Sequence, residues 1–239
     1  MMRLLTVVVV VLAGPLHLVT AHKMEVGRCK SMPEVENFDP DKLAGEWYVM
    51  VSLMTSSSCI RMEFNRTKEG FTVQHSRELF IARTIGFNHV FRTTGFLDVS
   101  NDTSSKMVMK MPYTLGFFTT YLTVVDTDYT QYAVLYDCTT MWFLHRYTVR
   151  ILSRQPTLDA ALLSQLKTKL KENGINVKLL RKIVQNSCNQ EGEADFDVNI
   201  DPNTYINIEA KAFGDSQSSN SSQDDSYSDS PLEKVFDWD

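Results

Sequence analysis

Four cysteines, Cys29, Cys59, Cys138 and Cys188, are the side chains with the most reactive chemistry in this chain. As metal ligands they would need close spacing such as C-x-x-C, and no two of them lie that near each other. As nucleophiles they would need a base close by, yet no G-x-S-x-G, H-E-x-x-H or His/Asp/Ser grouping is present. As disulfides they need only an even count and an oxidising compartment. That use fits, and the sequence leaves three pairings open. Neither a metal site nor a cofactor motif is expected. The chain reads as a binding protein, not an enzyme.

The start of the chain points to such a compartment. Met1-Met2-Arg3 is followed by an apolar run from Leu4 to Val19 and then by Val19-Thr20-Ala21, the pattern of a secretory signal peptide over residues 1–21 cleaved after Ala21. Gly14, Pro15 and His17 break the run, leaving it too short to cross ~30 Å of hydrocarbon as an anchor. No later stretch is long enough either, so no membrane span is expected. Three N-x-S/T sequons, at Asn65, Asn101 and Asn220, suit a secreted, extracellular glycoprotein. The net charge is −5, unevenly placed: residues 189–239 carry 13 acidic and 2 basic residues, on a mildly basic body. That balance, with no basic stripe interleaved with aromatics, argues against nucleic-acid binding. The polar run Ser216 to Ser226 cannot bury enough apolar surface to offset ordering entropy, so residues 189–239 are expected to form a disordered acidic tail. Tyr205 to Ile208 and Val235 to Trp238 interrupt it as apolar islands.

Whatever is bound must be held by the segment between Gly45 and Arg154, where short β-like runs alternate with turn residues. Glu46 to Leu53 is the first run. Ile60 to Phe64 alternates apolar and charged residues, as a half-buried strand does. Lys68-Glu69-Gly70 is a turn, and Phe71 to His75 follows. His89 to Val99 is a longer strand with Gly95 as a bend or bulge. Met107 to Met111 puts three methionines on one face. Tyr121 to Val125 and Tyr132 to Cys138 flank a tight turn at Asp126-Thr127-Asp128-Tyr129, and Trp142 to Leu152 closes the series. Eight strands with no long helix between them predict an antiparallel sheet joined by hairpins. One helix follows, with Thr157 as its N-cap, Asp159 in its first turn, a stripe of Leu158, Ala161, Leu162, Leu166 and Leu170, and a stop at Asn173-Gly174. An up-and-down barrel of eight strands removes its own edges and has room for one small ligand. A two-sheet sandwich has the same strand count; the single helix after the last strand favours the barrel.

Asn37-Phe38-Asp39-Pro40-Asp41-Lys42-Leu43-Ala44-Gly45-Glu46-Trp47-Tyr48 resembles the first signature of the lipocalins, with Gly-x-Trp entering the first strand. Val125 to Tyr129 followed by Tyr132 to Cys138 resembles the second, and Arg154 the third. The resemblance spans roughly residues 29 to 188 and is to the apolipoprotein D branch, which includes arthropod bilin-binding and crustacyanin-type members. It implies a barrel domain over residues 22–188 with one helix packed outside. It also implies structural roles for Gly45, Trp47, Asp128, Tyr129 and Arg154, with Trp47 plugging the closed end and the Arg154 guanidinium on its face. The pairing it implies is Cys29–Cys138 and Cys59–Cys188, which leaves no free thiol for catalysis.

Within that frame, alternation names an inward set. Ile60, Met62 and Phe64 face in from the second strand, and Met107, Met109 and Met111 from the fifth. The family pattern adds Leu122, Val124, Ala133 and Leu135, and the first strand adds Trp47, Val49 and Val51. Parity from Arg154 puts Leu152, Arg150, Thr148 and Arg146 inside, and Val149 and Ile151 outside under the helix. The expected cavity is apolar and rich in adaptable methionine, suited to a fatty acid, sterol, retinoid, carotenoid or tetrapyrrole. An inward arginine needs a partner, and a ligand carboxylate would pair with Arg150 or Arg146. His75 is expected to be solvated at the mouth. The expected function is therefore extracellular carriage of a small hydrophobic ligand. The alternative is a secreted interaction or signalling module that uses its loops or acidic tail, with a cell-surface receptor or a lipoprotein as partner.

Overall fold

The structure, a computed structural model, describes residues 22–68, 70–99, 104–111, 118–189, 193–201 and 207–210. The expected signal peptide, the sequons at Asn101 and Asn220, and the residues beyond Ala210 lie outside the described residues. The alternating runs form eight antiparallel strands: β2 (Gly45–Leu53), β3 (Ser57–Thr67), β4 (Gly70–Leu79), β5 (His89–Asp98), β6 (Lys106–Lys110), β7 (Thr120–Thr127), β8 (Tyr132–Met141) and β9 (Leu144–Ser153). Each pairs with the next, and β9 returns to pair with β2 over Tyr48↔Ser153 to Ser52↔Arg150. The sheet is a closed barrel. A short strand before it, β1 (Lys23–Val26), pairs antiparallel with the start of β9.

Two apolar layers hold this arrangement. One fills the inside of the barrel, around Trp47, Met62, Phe64, Met107 and Leu122. The other lies between the outer face of the sheet and the helix Ala160–Glu172, where Val149 and Ile151 meet Leu166 and Leu170. Asp159, not Thr157, caps this helix, accepting a hydrogen bond from the Leu162 amide at 2.8 Å. Thr157 stays in the connection, its carbonyl accepting from the Ser153 hydroxyl. Ala161 is exposed and Leu163 takes its place on the buried stripe. Among the described residues no helix is long and apolar enough to cross a membrane. Short helices at Pro40–Leu43 and Phe80–Thr84 span too few residues to leave a periodic sequence signal.

Two further departures from the sequence reading matter for the interior. In β2 the register against β9 shifts between Val49 and Val51, so an extra residue is inserted at that point. Because side chains alternate with period two, the insertion reverses the facing of everything beyond it. Val51 therefore does not face the interior. It lies in the outer layer with Leu53, and Ser52 takes the inward place opposite Arg150. The second departure concerns the tail expected from residue 189. Beyond β10 (Leu180–Lys182), which pairs antiparallel with β2, Phe196–Ile200 forms β11, parallel to β5, and Asn207–Ala210 forms β12, antiparallel to β11. Two disulfides, Cys29–Cys138 and Cys59–Cys188, fasten the segments before and after the barrel to its wall.

Candidate functional site

The barrel has a built floor. Gly45 adopts φ +94°, and a Cβ there would sit 3.2 Å from an Arg154 guanidinium nitrogen. Glycine both permits the turn and leaves room for the arginine. Trp47 is fully buried, and its indole N–H donates to the Leu43 carbonyl at 2.8 Å. The Arg154 guanidinium lies 3.7 Å from the Trp47 ring centroid and donates to the carbonyls of Lys42, Glu46 and Tyr129. Asp128 accepts from three successive backbone amides, those of Thr130, Gln131 and Tyr132, and so fixes the β7–β8 turn. The Tyr129 hydroxyl accepts from the Asp39 amide and ties that turn to the chain entering the floor.

Above the floor the barrel is solid. Val49, Met62, Phe64, Met107, Leu122, Val124 and Leu135 are each no more than 1% exposed, so no hollow large enough for water adjoins them. The sequence reading placed these residues around a ligand; they pack against one another. Alternation shows which way a side chain points, but not whether opposite walls meet, and the volumes of Trp47, Phe64, Phe71 and the methionines close this level. Thr148 is buried among them with its hydroxyl lacking a hydrogen-bond partner among the described residues.

A hollow of about 310 Å³ opens at the other end of the barrel. Of the expected lining, Ile60, Met109, Met111 and Arg150 border it; the first three form its apolar side together with Ile200 of β11, and Arg150 belongs to the polar side. The remaining wall is polar, contrary to the expectation of a uniformly apolar pocket: His22, Ser52, His75, Thr93, Asp137, Arg77 and Arg146 all reach it. Arg150 forms an ion pair with Asp137, whose side chain is 4% exposed. The partner that an inward arginine requires is thus supplied by the protein itself, not by a ligand. Arg146 donates from Nε to the Thr139 hydroxyl at 3.3 Å, and no carboxylate among the described residues pairs with it. Asp137 neutralises Arg150, so Arg146 is the guanidinium that meets the hollow with a neutral hydroxyl as its partner.

Two histidines also border the hollow. His75 projects into the hollow from the middle of β4 and is partly buried; its Nε2 has no hydrogen-bond partner among the described residues. Burial, reinforced by Arg150 and Arg77, holds its pKa well below the ordinary histidine value. His22 lies 3.9 Å from Asp137 through Nδ1, and burial lowers its pKa despite the attraction of that carboxylate. Both imidazoles are neutral in the fold at neutral pH but titrate near pH ~6.5 once unfolded. As pH falls below that value, the unfolded chain binds protons that the folded one refuses. Stability is therefore complete above pH ~6.5 and declines towards the depressed folded values, by at most ~1.4 kcal/mol per pH unit for each histidine. Thermal melts between pH 7.5 and 5 should show this slope reduced in His75→Gln; an equal slope in both proteins would assign the acid sensitivity elsewhere.

Sequence reasoning missed Asp137, Ser52, His22 and Ile200. Asp137 was readable, since it shares the inward parity of Ala133 and Leu135. Ile200 was readable too, from the strict alternation Asp195-Phe196-Asp197-Val198-Asn199-Ile200-Asp201. Ser52 was hidden by the insertion in β2.

Comparison with known proteins places this architecture. The Triabin family model matches residues 20–144, more than half of the chain. Apolipoprotein D of Mus musculus is 29% identical over 181 residues, covering 74% of this chain and 93% of the relative. The Bos taurus protein is 29% identical over 182 residues with the same coverage. Among solved structures, insecticyanin from the tobacco hornworm Manduca sexta superposes with a TM-score of 0.56 at 18% identity, over 75% of this chain and 95% of its own. Lobster apocrustacyanin A1 gives a TM-score of 0.52 at 19% identity, over 69% and 92%. With a closed eight-stranded barrel, an indole and guanidinium floor and a matching family model, the chain belongs to the triabin family, has the lipocalin fold and is similar in sequence to apolipoprotein D.

Proposed function

We propose that this protein is an extracellular carrier of a small hydrophobic molecule with an anionic head, held at the open end of the barrel. The observation that carries this reading is the divided wall of the 310 Å³ hollow, with Ile60, Met109 and Met111 on one side and, on the other, Arg146 beside the Arg150–Asp137 ion pair, with no carboxylate of its own among the described residues. The apolar side takes a short or flat hydrophobic body, and the Arg146 guanidinium takes a carboxylate or similar anion. A hollow of this size favours a compact guest over one that fills the whole barrel. The two disulfides and the exposed, outward-facing Asn65 agree with an extracellular setting. The relatives support small-molecule binding in general terms. The reading assigns no catalytic step to the chain.

Arg146 is the residue that tests it, because Arg150 already serves Asp137. Arg146→Met should weaken binding of the flat anionic lipophile 1-anilinonaphthalene-8-sulfonate about tenfold, equivalent to ~1.4 kcal/mol, and leave an uncharged lipophile of similar size unaffected. Fluorescence titration measures both, and native mass spectrometry of protein from its own source would show the natural guest. The alternative, an interaction module, draws on the exposed hairpin tip Trp142-Phe143. An empty barrel in the native spectrum with a silent Arg146→Met would favour it.

A further inference from the structure

The hollow has a wall outside the eight barrel strands. Among the described residues β6 pairs with β5 only over Phe96–Asp98, leaving the upper half of β5 without a described barrel neighbour on that side. β11 fills this place, parallel to β5 through five residue pairs from Phe196↔His89 to Ile200↔Thr93. Its alternation fits the position. Phe196, Val198 and Ile200 share one face, Ile200 reaches the hollow beside Thr93, and Asp197 turns the other way to pair with Arg92. The seating is specific: the Phe196 ring stacks on Phe87 at 4.6 Å, and the Asn88 carbonyl accepts from the amides of Asp195 and Phe196. The Cys59–Cys188 bridge fixes the start of the segment against the barrel. β12 covers the far edge of β11, so the pair sits on the barrel as a hairpin.

We infer that the segment Ala194–Ile200 is a ninth wall of the ligand site, and that the fit and residence time of the guest depend on it. This rests on the carrier reading above. A two-stranded hairpin is marginally stable alone, so β11 keeps its place through β5, Arg92 and Phe87. It is the wall that yields first when a guest enters or leaves. Residues following the last disulfide, in a region whose composition reads as an acidic tail, thereby become determinants of specificity.

The experiment uses the full chain in three forms: wild type, Val198→Pro, which removes a backbone donor from the middle of β11, and Ile200→Trp, which adds bulk towards the hollow. Hydrogen exchange without ligand should show Phe196–Ile200 protected in wild type and Ile200→Trp, and open in Val198→Pro. Dissociation of 1-anilinonaphthalene-8-sulfonate should be about tenfold faster in Val198→Pro, and affinity about tenfold weaker in Ile200→Trp. Exchange at the rate of a free peptide in wild type would overturn the inference, as would unchanged binding and release in both variants. Should wild type take up no probe, the carrier reading falls, and the exchange pattern alone decides whether β11 closes the wall.

Discussion

Arg150→Met is expected to destabilise the protein by ~3–5 kcal/mol, because it strands a charge that the fold has already taken out of water. The Arg150 and Asp137 side chains are 11% and 4% exposed, so water does little to solvate the carboxylate once its partner is gone. The nearest substitute is His22, with Nδ1 at 3.9 Å, and burial keeps that imidazole neutral at neutral pH. Urea denaturation should show a lower midpoint with an unchanged slope. Replacing both residues, as Arg150→Met with Asp137→Leu, should recover most of the loss, since no isolated charge remains. A single-variant loss under ~1 kcal/mol would mean that the pair behaves like an exposed one and that the mouth is well hydrated.

Trp47→Ala is expected to cost a similar ~3–5 kcal/mol through removal of a large, fully buried side chain. The loss goes beyond volume. Arg154 loses the ring on which it lies, and the Leu43 carbonyl loses its indole donor. Trp47→Phe keeps much of the bulk and an aromatic face, and its cost should be nearer the ~1–3 kcal/mol of a broken buried hydrogen bond. Thermal or urea unfolding of the two variants separates these contributions. If alanine and phenylalanine cost the same, the hydrogen bond and not the plug would be the dominant part of the floor.

The barrel and its floor were legible because they rest on residue types with few substitutes. Gly45 at positive φ, an indole at Trp47 and a guanidinium at Arg154 each do something that few other residues can do. The strands were legible through period-two alternation, and inward parity held for Ile60, Met62, Phe64 and the three methionines of the β6 segment. Two things were not legible, and a third was legible but overlooked. The insertion in β2 is a backbone event with no residue to announce it, so Val51 was assigned to the wrong face. The filled lower barrel depends on the distance between opposite walls, which no single strand encodes. The strand at Phe196–Ile200 carries its alternation openly, but Asp195, Asp197, Asn199 and Asp201 make the region read as solvated tail.

The extra residue in β2 has a consequence for how such a vessel acquires its character. Below Val49 the strand turns grease towards the middle; above it, the same strand gives its grease to the helix and a hydroxyl to the vestibule. One added unit of chain divides the lumen into a dry cellar and a wet porch. The wetness of the entrance is therefore decided by counting residues along one segment as much as by choosing them.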